Sequence, residues 1–332
     1  LKLSASLDAG IYSSAQQVEL SCSSSIVQVR YTLDGSTPTK DSALYATPII
    51  LPYGATKLRA ATFYNDKMVG TALSTDYLVT PSTDLAVGGG VTEASGSTIS
   101  GYPVTRITDG NISNRWATTS NAGTDIVVTV DLKSKKTFDC FLLDEFCNKN
   151  AASRVNTIQL AYQDGSDWKP IAIGDLFTMP ATTEEHAYKA ASFAPVTAQK
   201  VRLTMRGAGI SIWEFSLYNT SAVGDKTALN TLVNACKALK NADYVDTTAL
   251  ETALAAAQTV QANTAATQTT VDNAYFALLN AKAALVEKAS LTPGDLDLSG
   301  RVTAGDALVA LKAATGQTTL NKTQQVAADV DG

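Results

Sequence analysis

In Ile107-Thr108-Asp109-Gly110-Asn111-Ile112-Ser113-Asn114-Arg115-Trp116, apolar anchors flank an Asp-Gly turn rich in oxygen-bearing side chains. Glycine after aspartate marks a place where the backbone reverses through a left-handed conformation. Alternating runs follow at Ile126 to Leu132, Thr157 to Tyr162, Lys200 to Met205 and Ile212 to Tyr218. Each puts every second side chain on one face, as a half-buried strand requires. Residues 81–222 therefore read as a unit of half-buried strands.

Upstream, residues 1–80 carry the same signature in shorter pieces. Val18 to Cys22, Val27 to Leu33, Leu58 to Phe63 and Asp76 to Val79 predict strands, with a turn at Asp34-Gly35. A small sandwich is expected there. Downstream the composition changes: no glycine falls between Gly224 and Gly294, and that stretch is dense in alanine. Leu229, Leu232, Val233 and Cys236 recur at helical spacing, as do Leu250, Leu254 and Ala257, and then Val271, Ala274, Tyr275, Leu278 and Leu285. Three such stripes with short connections predict an antiparallel three-helix bundle over 223–290, with Asp225 and Asp246 as N-terminal caps.

Residues 291–332 contain an acidic loop, Asp295-Leu296-Asp297-Leu298-Ser299-Gly300-Arg301-Val302-Thr303-Ala304-Gly305-Asp306. Its pattern is that of an EF-hand-type calcium loop. Asp295, Asp297 and Ser299 supply oxygens, Gly300 makes the sharp turn, Arg301 offers a carbonyl, Thr303 acts through water and Asp306 closes the shell. A helix is expected to follow. The alternative is a solvated acidic turn. Asp329 and Asp331 begin a second such loop, and the chain stops there. It also opens inside a strand-like pattern without a Met, so both ends read as cut.

Composition bounds the function. Across 332 residues, 26 Lys and Arg stand against 31 Asp and Glu, a net charge of -5, which argues against a nucleic-acid binder. No apolar run approaches the roughly 18 residues of a membrane span, so no membrane insertion is expected. The single histidine, His186, excludes a histidine-clustered metal site within the chain. Cys22, Cys140, Cys147 and Cys236 are too scattered for a disulfide framework. Cys140 and Cys147 are read as buried free thiols, with their pairing as the alternative. No segment supplies a positioned acid/base pair, so no catalysis is expected.

Several segments resemble known families. Tyr31-Thr32-Leu33-Asp34-Gly35-Ser36-Thr37-Pro38-Thr39, with Leu44-Tyr45 and Pro48-Ile49, resembles the chitobiase/β-hexosaminidase C-terminal domain. That resemblance implies a structural spacer beside a glycosidase domain; direct sugar binding is the alternative. The 107–116 stretch and the strand order behind it resemble the discoidin-like, coagulation factor 5/8 type C sandwich, whose superfamily includes family 32 carbohydrate-binding modules. The resemblance implies a calcium ion held by Asp109, the carbonyls of Arg106 and Asn111, Asn114, the carbonyl of Trp213, and Glu214. Asn114 stands where that family places Ser or Thr. The alternative is a plain turn beside a solvated Glu214.

Galactose-binding members of that family carry His just after the tryptophan. Here Trp116 is followed by Ala117. The loop after Asp144-Glu145-Phe146 offers Asn148, Lys149, Asn150 and Arg154 as weak glycan-binding candidates, without an evident aromatic platform. Trp116 and Trp213 are expected in the core, and sugar binding stays open. Thr137-Phe138-Asp139, Leu143-Asp144-Glu145-Phe146, Ser153-Arg154-Val155 and Gly165-Ser166-Asp167-Trp168-Lys169 together resemble the C-terminal sandwich of family 29 α-L-fucosidases. Ala266-Thr267-Gln268-x-x-Val271-Asp272-x-Ala274 resembles the FIVAR module of secreted, surface-attached bacterial proteins, which implies a spacer, with sugar or matrix binding as the alternative. The closing Asp306, the Gly294-Asp295 start and the single following helix resemble a dockerin's first repeat, followed by a truncated second one. That resemblance implies a cohesin partner, met by Ala304, Gly305, Leu308 and Lys312.

The expected fold class is multidomain: two antiparallel β-sandwiches, then an all-α three-helix bundle, then a partial EF-hand-like dockerin. The expected function is the non-catalytic C-terminal region of a secreted carbohydrate-active enzyme, with calcium as cofactor and a glycan and a cohesin as partners. A surface adhesin that binds host glycans directly is the competing reading.

Overall fold

Alternation in the first eighty residues becomes a small sandwich. The computed structural model describes residues 1–81, 83–94, 97–148, 154–174, 176–179 and 185–330, and two compact units divide it, Leu1–Ala222 and Val223–Gly332. In the first unit, strands Gly54–Tyr64 and Lys67–Val79 pair antiparallel across Asn65-Asp66, both at positive φ (47° and 61°). Such a two-residue turn matches the right-handed twist of the strands it joins. Gln28–Thr32 and Ala43–Leu44 extend this sheet on one side, and Gly10–Tyr12 joins it in parallel on the other.

The expected strand Val18 to Cys22 is two strands. Gln16–Val18 pairs with Ile49–Leu51, and Leu20–Cys22 pairs with Leu3–Ala5. The break falls at Glu19, whose N–H and C=O bond to Ser6. Alternation alone reads straight across such a change of partner, because both halves keep the same period. Val18, Leu20, Ile49, Leu51, Leu58, Ala60, Tyr77 and Val79 fill the core.

The larger sandwich is organised by two strands of 22 residues each, Asp125–Phe146 and His186–Gly207. They pair along most of their length, with register shifts between Asp131 and Lys136 and between Phe138 and Cys140. Lys133 takes a positive φ of 66° at the first shift. Before the bulge, Gly90–Glu93 and Val155–Asp164 flank the pair; after it, Ser211–Tyr218 and Phe177–Met179 do. A bulge bends the ladder, so one continuous sheet supplies both layers. Ile126, Val128 and Val130 from one half meet Phe138, Phe141 and Leu143 from the other in a single core.

Residues 138–146 are buried on both faces. Phe141 and Leu143 point into the core, while Cys140 and Leu142 point outward and pack with Phe177, Ala190 and Tyr218 against Leu78 and Ile11 of the first sandwich. A strand covered on both sides reads as a continuous apolar run and not as an alternating one. The two sandwiches thus share a dry apolar contact. All four cysteines are unpaired, and Cys140 and Cys147 are buried.

The second unit is helical. Helices α1 (Thr227–Lys237), α2 (Thr248–Ala262) and α3 (Gln268–Ala283) enclose Leu229, Leu232, Val233, Cys236, Leu250, Ala257, Ala266, Val271 and Leu278. The caps fall one residue later than expected, at Lys226 and Thr247, yet Asp225 and Asp246 accept the N–H groups of Thr227 (2.8 Å) and Thr248 (3.0 Å). Helix α4 (Ala304–Ala314) starts at Thr303 in a reciprocal cap with Asp306, and α5 (Lys322–Ala328) follows.

Candidate functional site

One rim of the larger sandwich gathers side chains from distant segments. Phe146 ends its long strand opposite His186. The Trp213 ring meets Phe146 edge-on at 5.4 Å and stacks on His186 at 5.1 Å, 23° from parallel. His186 Nδ1 in turn lies 2.9 Å from the buried Asp144 carboxylate. Burial pushes the Asp144 carboxyl up, and its bond to His186 opposes that. Trp116 is fully buried, as expected, and donates to Thr98 Oγ at 2.9 Å. Trp213 corrects the expectation: it is half-buried, and its ring belongs to this surface cluster.

Two arginines complete the rim. The Arg115 guanidinium carbon lies 3.8 Å from the Phe146 ring centre and 4.8 Å from that of Tyr102. Its Nη1 donates to Ser211 Oγ. Arg154 lies 5.3 Å from the Phe146 ring centre, and its Nη1 donates to Gly209 O at 3.0 Å. Beneath it, the fully buried Glu145 accepts the backbone N–H groups of Arg154 and Val155 and pairs with Lys189 at 2.8 Å. Glu145 therefore positions the chain that carries Arg154. Of the weak glycan candidates, Arg154 is in this cluster and Asn148 is exposed nearby in sequence; Asn150, like Lys149, lies outside the described residues.

A second feature is the Asp-Gly turn. Asp109 accepts from Asn111 N (2.9 Å) and Asn114 Nδ2 (3.0 Å), while Gly110 N donates to Glu214 Oε1 at 3.1 Å. The turn thus brings Asp109, Asn114 and Glu214 together, with Arg106, Asn111 and Trp213 beside them in the chain. Among the described residues, Glu214 Oε2 and Asn114 Oδ1 are buried and accept no hydrogen bond. Buried oxygens normally find donors. Burial, with Asp84, Asp109 and Asp144 adding to it, pushes the Glu214 carboxyl up to about 8 against the bond from Gly110. Orphaned acceptors beside an excess of negative charge fit a hard cation, and the oxygen donor set is of the kind calcium takes.

In the second unit the acidic loop is compact. Carboxylate oxygens of Asp295, Asp297 and Asp306 lie within 4.8 Å of one another. Asp295 accepts from Ser299 N (3.0 Å) and Gly300 N (2.7 Å), and Asp297 from Ser299 N (3.0 Å). Asp306 accepts from Asp297 N (2.9 Å) and Thr303 N (2.6 Å), which hold its carboxyl down to about 2. Gly300, at φ 86°, makes the turn that a side chain would strain. Ser299 Oγ reaches the Arg301 carbonyl at 3.3 Å. Ala304, Gly305, Leu308 and Lys312 are all exposed on α4. Asp329 is exposed at the end of α5, and Asp331 lies outside the described residues.

The sequence signals for the acidic loop and the Asp-Gly turn are local. The arginine–aromatic cluster had no such signal: Tyr102, Arg115, Phe146, Arg154, His186 and Trp213 come from six separate places in the chain, and only the fold joins them.

Two family models match parts of the chain. Residues 7–75 match the family model of the chitobiase/β-hexosaminidase C-terminal domain. Residues 91–216 match that of the F5/8 type C domain. No curated protein matches the chain. Among solved structures, SpGH29 is 23% identical over 41% of this chain, with a TM-score of 0.33; the chain spans 28% of it. Chitosan-binding module 2 of a Paenibacillus sp. IK-5 chitosanase/glucanase, solved with chitotriose, is 24% identical over 41% of this chain and 100% of its own, with a TM-score of 0.31. The family 32 carbohydrate-binding module of C. perfringens NanJ, solved with galactose, is 18% identical over 39% of this chain and 93% of its own, also at 0.31.

Proposed function

We propose that this chain is an ancillary, non-catalytic region of a secreted carbohydrate-active protein, and that its F5/8 type C sandwich binds a glycan at the Arg115–Phe146–Trp213 rim. The observation that carries the reading is Arg115 held between the rings of Tyr102 and Phe146, with Trp213 and Arg154 beside it. Sugars are bound by aromatic faces under their C–H groups and by fixed polar groups that read their hydroxyls. An arginine braced by two rings is such a fixed donor. Its rotamer entropy is already spent before the ligand arrives.

Calcium enters as part of the same proposal. Asp109, Asn114 and Glu214, with the carbonyls of Arg106, Asn111 and Trp213, would hold it in the sandwich. There it would neutralise the buried carboxylate and tie the 106–114 turn to the strand Ser211–Tyr218. Asp295, Asp297, Ser299, Arg301, Thr303 and Asp306 would hold a second ion. The second unit is then a FIVAR-like bundle followed by a partial dockerin, with cohesin met through Ala304, Gly305, Leu308 and Lys312.

A glycan array probed with the full chain in calcium and in chelator tests the reading. Binding to a defined glycan group that is lost in Arg115→Ala supports it. Silence across mucin and plant glycans in calcium refutes the sugar-binding part. For the second unit, a cohesin panel on a chain extended through a complete second loop is the test, and no binding in saturating calcium overturns the docking part.

A further inference from the structure

Two arginines elsewhere in the same unit are neutralised by acids. Arg59 pairs with Asp76 at 2.6 Å, and Arg206 pairs with Asp125. Arg115 and Arg154 instead use a hydroxyl and a carbonyl as acceptors, and neither forms an ion pair among the described residues. Both stand within 6 Å of the same Phe146 ring centre. Arg106 adds a third cation beside Tyr102, at 5.8 Å from its ring centre.

The nearby carboxylates are largely committed elsewhere. Glu145 is taken by Lys189 and by backbone N–H groups, and Asp144 by His186. Among the described residues, Glu185 is the remaining acid whose charge acts on Arg115. Burial and the Arg154 charge both pull the Arg115 guanidinium below its ordinary value, against the pull of Tyr102 and Glu185. The protein thus holds two like charges against one aromatic ring, both half-buried, on a chain of net charge -5. Like charges placed so cost stability unless an anion arrives. A guanidinium presents paired N–H donors in the geometry of a carboxylate or sulfate, and one hydrogen bond each leaves donors to spare.

Resting on the glycan-binding reading above, we propose that the sugar taken at this rim carries an oxyanion, a carboxylate or a sulfate ester, clasped by Arg115 and Arg154. Tyr102, which is exposed, and Trp213, which is half-buried, then meet the pyranose body, while the buried Phe146 braces the guanidinium pair, which selects acidic residues over neutral ones.

The test uses the full chain in calcium with matched probes: sialyllactose against lactose, a galacturonic acid trimer against a galactose trimer, and 6-sulfated against unsulfated N-acetyllactosamine. Calorimetry at low and at moderately raised sodium chloride reads each pair. At least one acidic probe should bind about tenfold or more tighter than its neutral partner, and salt should narrow the difference. The carboxylated and sulfated arms show which oxyanion is preferred. Arg154→Lys keeps the charge but loses the fork, so it should weaken the acidic probe more than the neutral one. Arg115→Ala and Arg154→Ala should abolish the preference, with a fluorescence melt of each variant confirming that it folds. Neutral probes binding as well as acidic ones would overturn the inference and leave the glycan reading standing. So would an acidic preference that survives in folded Arg115→Ala and Arg154→Ala. No binding by any probe would count against both.

Discussion

Replacing Glu214 by Gln should make the larger sandwich more stable in chelator and less stable in calcium. The Glu214 side chain is buried, one of its oxygens has no donor among the described residues, and its carboxyl is pushed up to about 8 from 4.5. A carboxyl raised in the folded state contributes its full stability below the unfolded value and loses it as pH climbs through the folded one. At about 1.4 kcal/mol per pH unit the loss between pH 4.5 and pH 8 is about 4–5 kcal/mol. Partial solvation of the site reduces this to about 2 kcal/mol.

An amide in the same place is neutral at every pH and escapes that loss. In calcium the sign reverses, since the wild-type carboxylate gains a cation that Gln holds poorly and ligand binding adds its own stabilisation. The three tryptophans, Trp116, Trp168 and Trp213, all lie within 91–216, so their fluorescence follows this sandwich within the full chain. At pH 7.5 in chelator, Glu214→Gln should melt about 4–8 °C higher than wild type. In millimolar calcium it should melt lower, and wild type in chelator should lose stability steadily from pH 5 to pH 8. A variant equally destabilised with and without calcium would refute the cation argument, and so would a wild type indifferent to calcium.

Other consequences follow from the packing. Leu78→Ala opens the apolar contact between the two sandwiches and should cost about 2–4 kcal/mol. It should also let a thiol reagent reach Cys140, which burial pushes up to about 12 and shields in wild type; unchanged labelling would refute a dry interface. Lys189→Met strands the buried Glu145 charge and should cost about 3–5 kcal/mol in urea, most of which Lys189→Met/Glu145→Gln recovers. Failure of the double variant to recover would show that the pair does more than neutralise charge. Asp295→Ala removes the acceptor for Gly300 N and one of two for Ser299 N, and calorimetry should count one fewer calcium than in wild type. An unchanged count would remove the acidic loop from the metal-binding reading.

How far the residues alone reach depends on the span over which a feature is built. The acidic loop of residues 295–306 was legible because its carboxylates fall within twelve residues and its geometry follows from one glycine and neighbouring N–H groups. The Asp109-Gly110 turn was legible for the same reason. So were the helices, where Leu229, Leu232, Val233 and Cys236 mark one face at a period that the backbone imposes. Even here Glu19 escaped notice, because a change of strand partner leaves the alternation intact.

What only the tertiary structure decided was the company these residues keep. Trp213 read as core, since a tryptophan in an alternating strand usually is, but the strand ends at the rim and its ring stacks on His186. His186 lies far along the chain from Trp116, yet pairing of His186 with Phe146 puts its ring in the cluster. Cys140 and Leu142 are buried outside their own core, among Phe177, Ala190 and Tyr218 of the same sandwich and Leu78 of the other. Local backbone physics writes turns, caps and periods into the sequence. Contacts made by strand register and layer packing join residues with no fixed spacing, so the arginine–aromatic rim exists only in the folded chain.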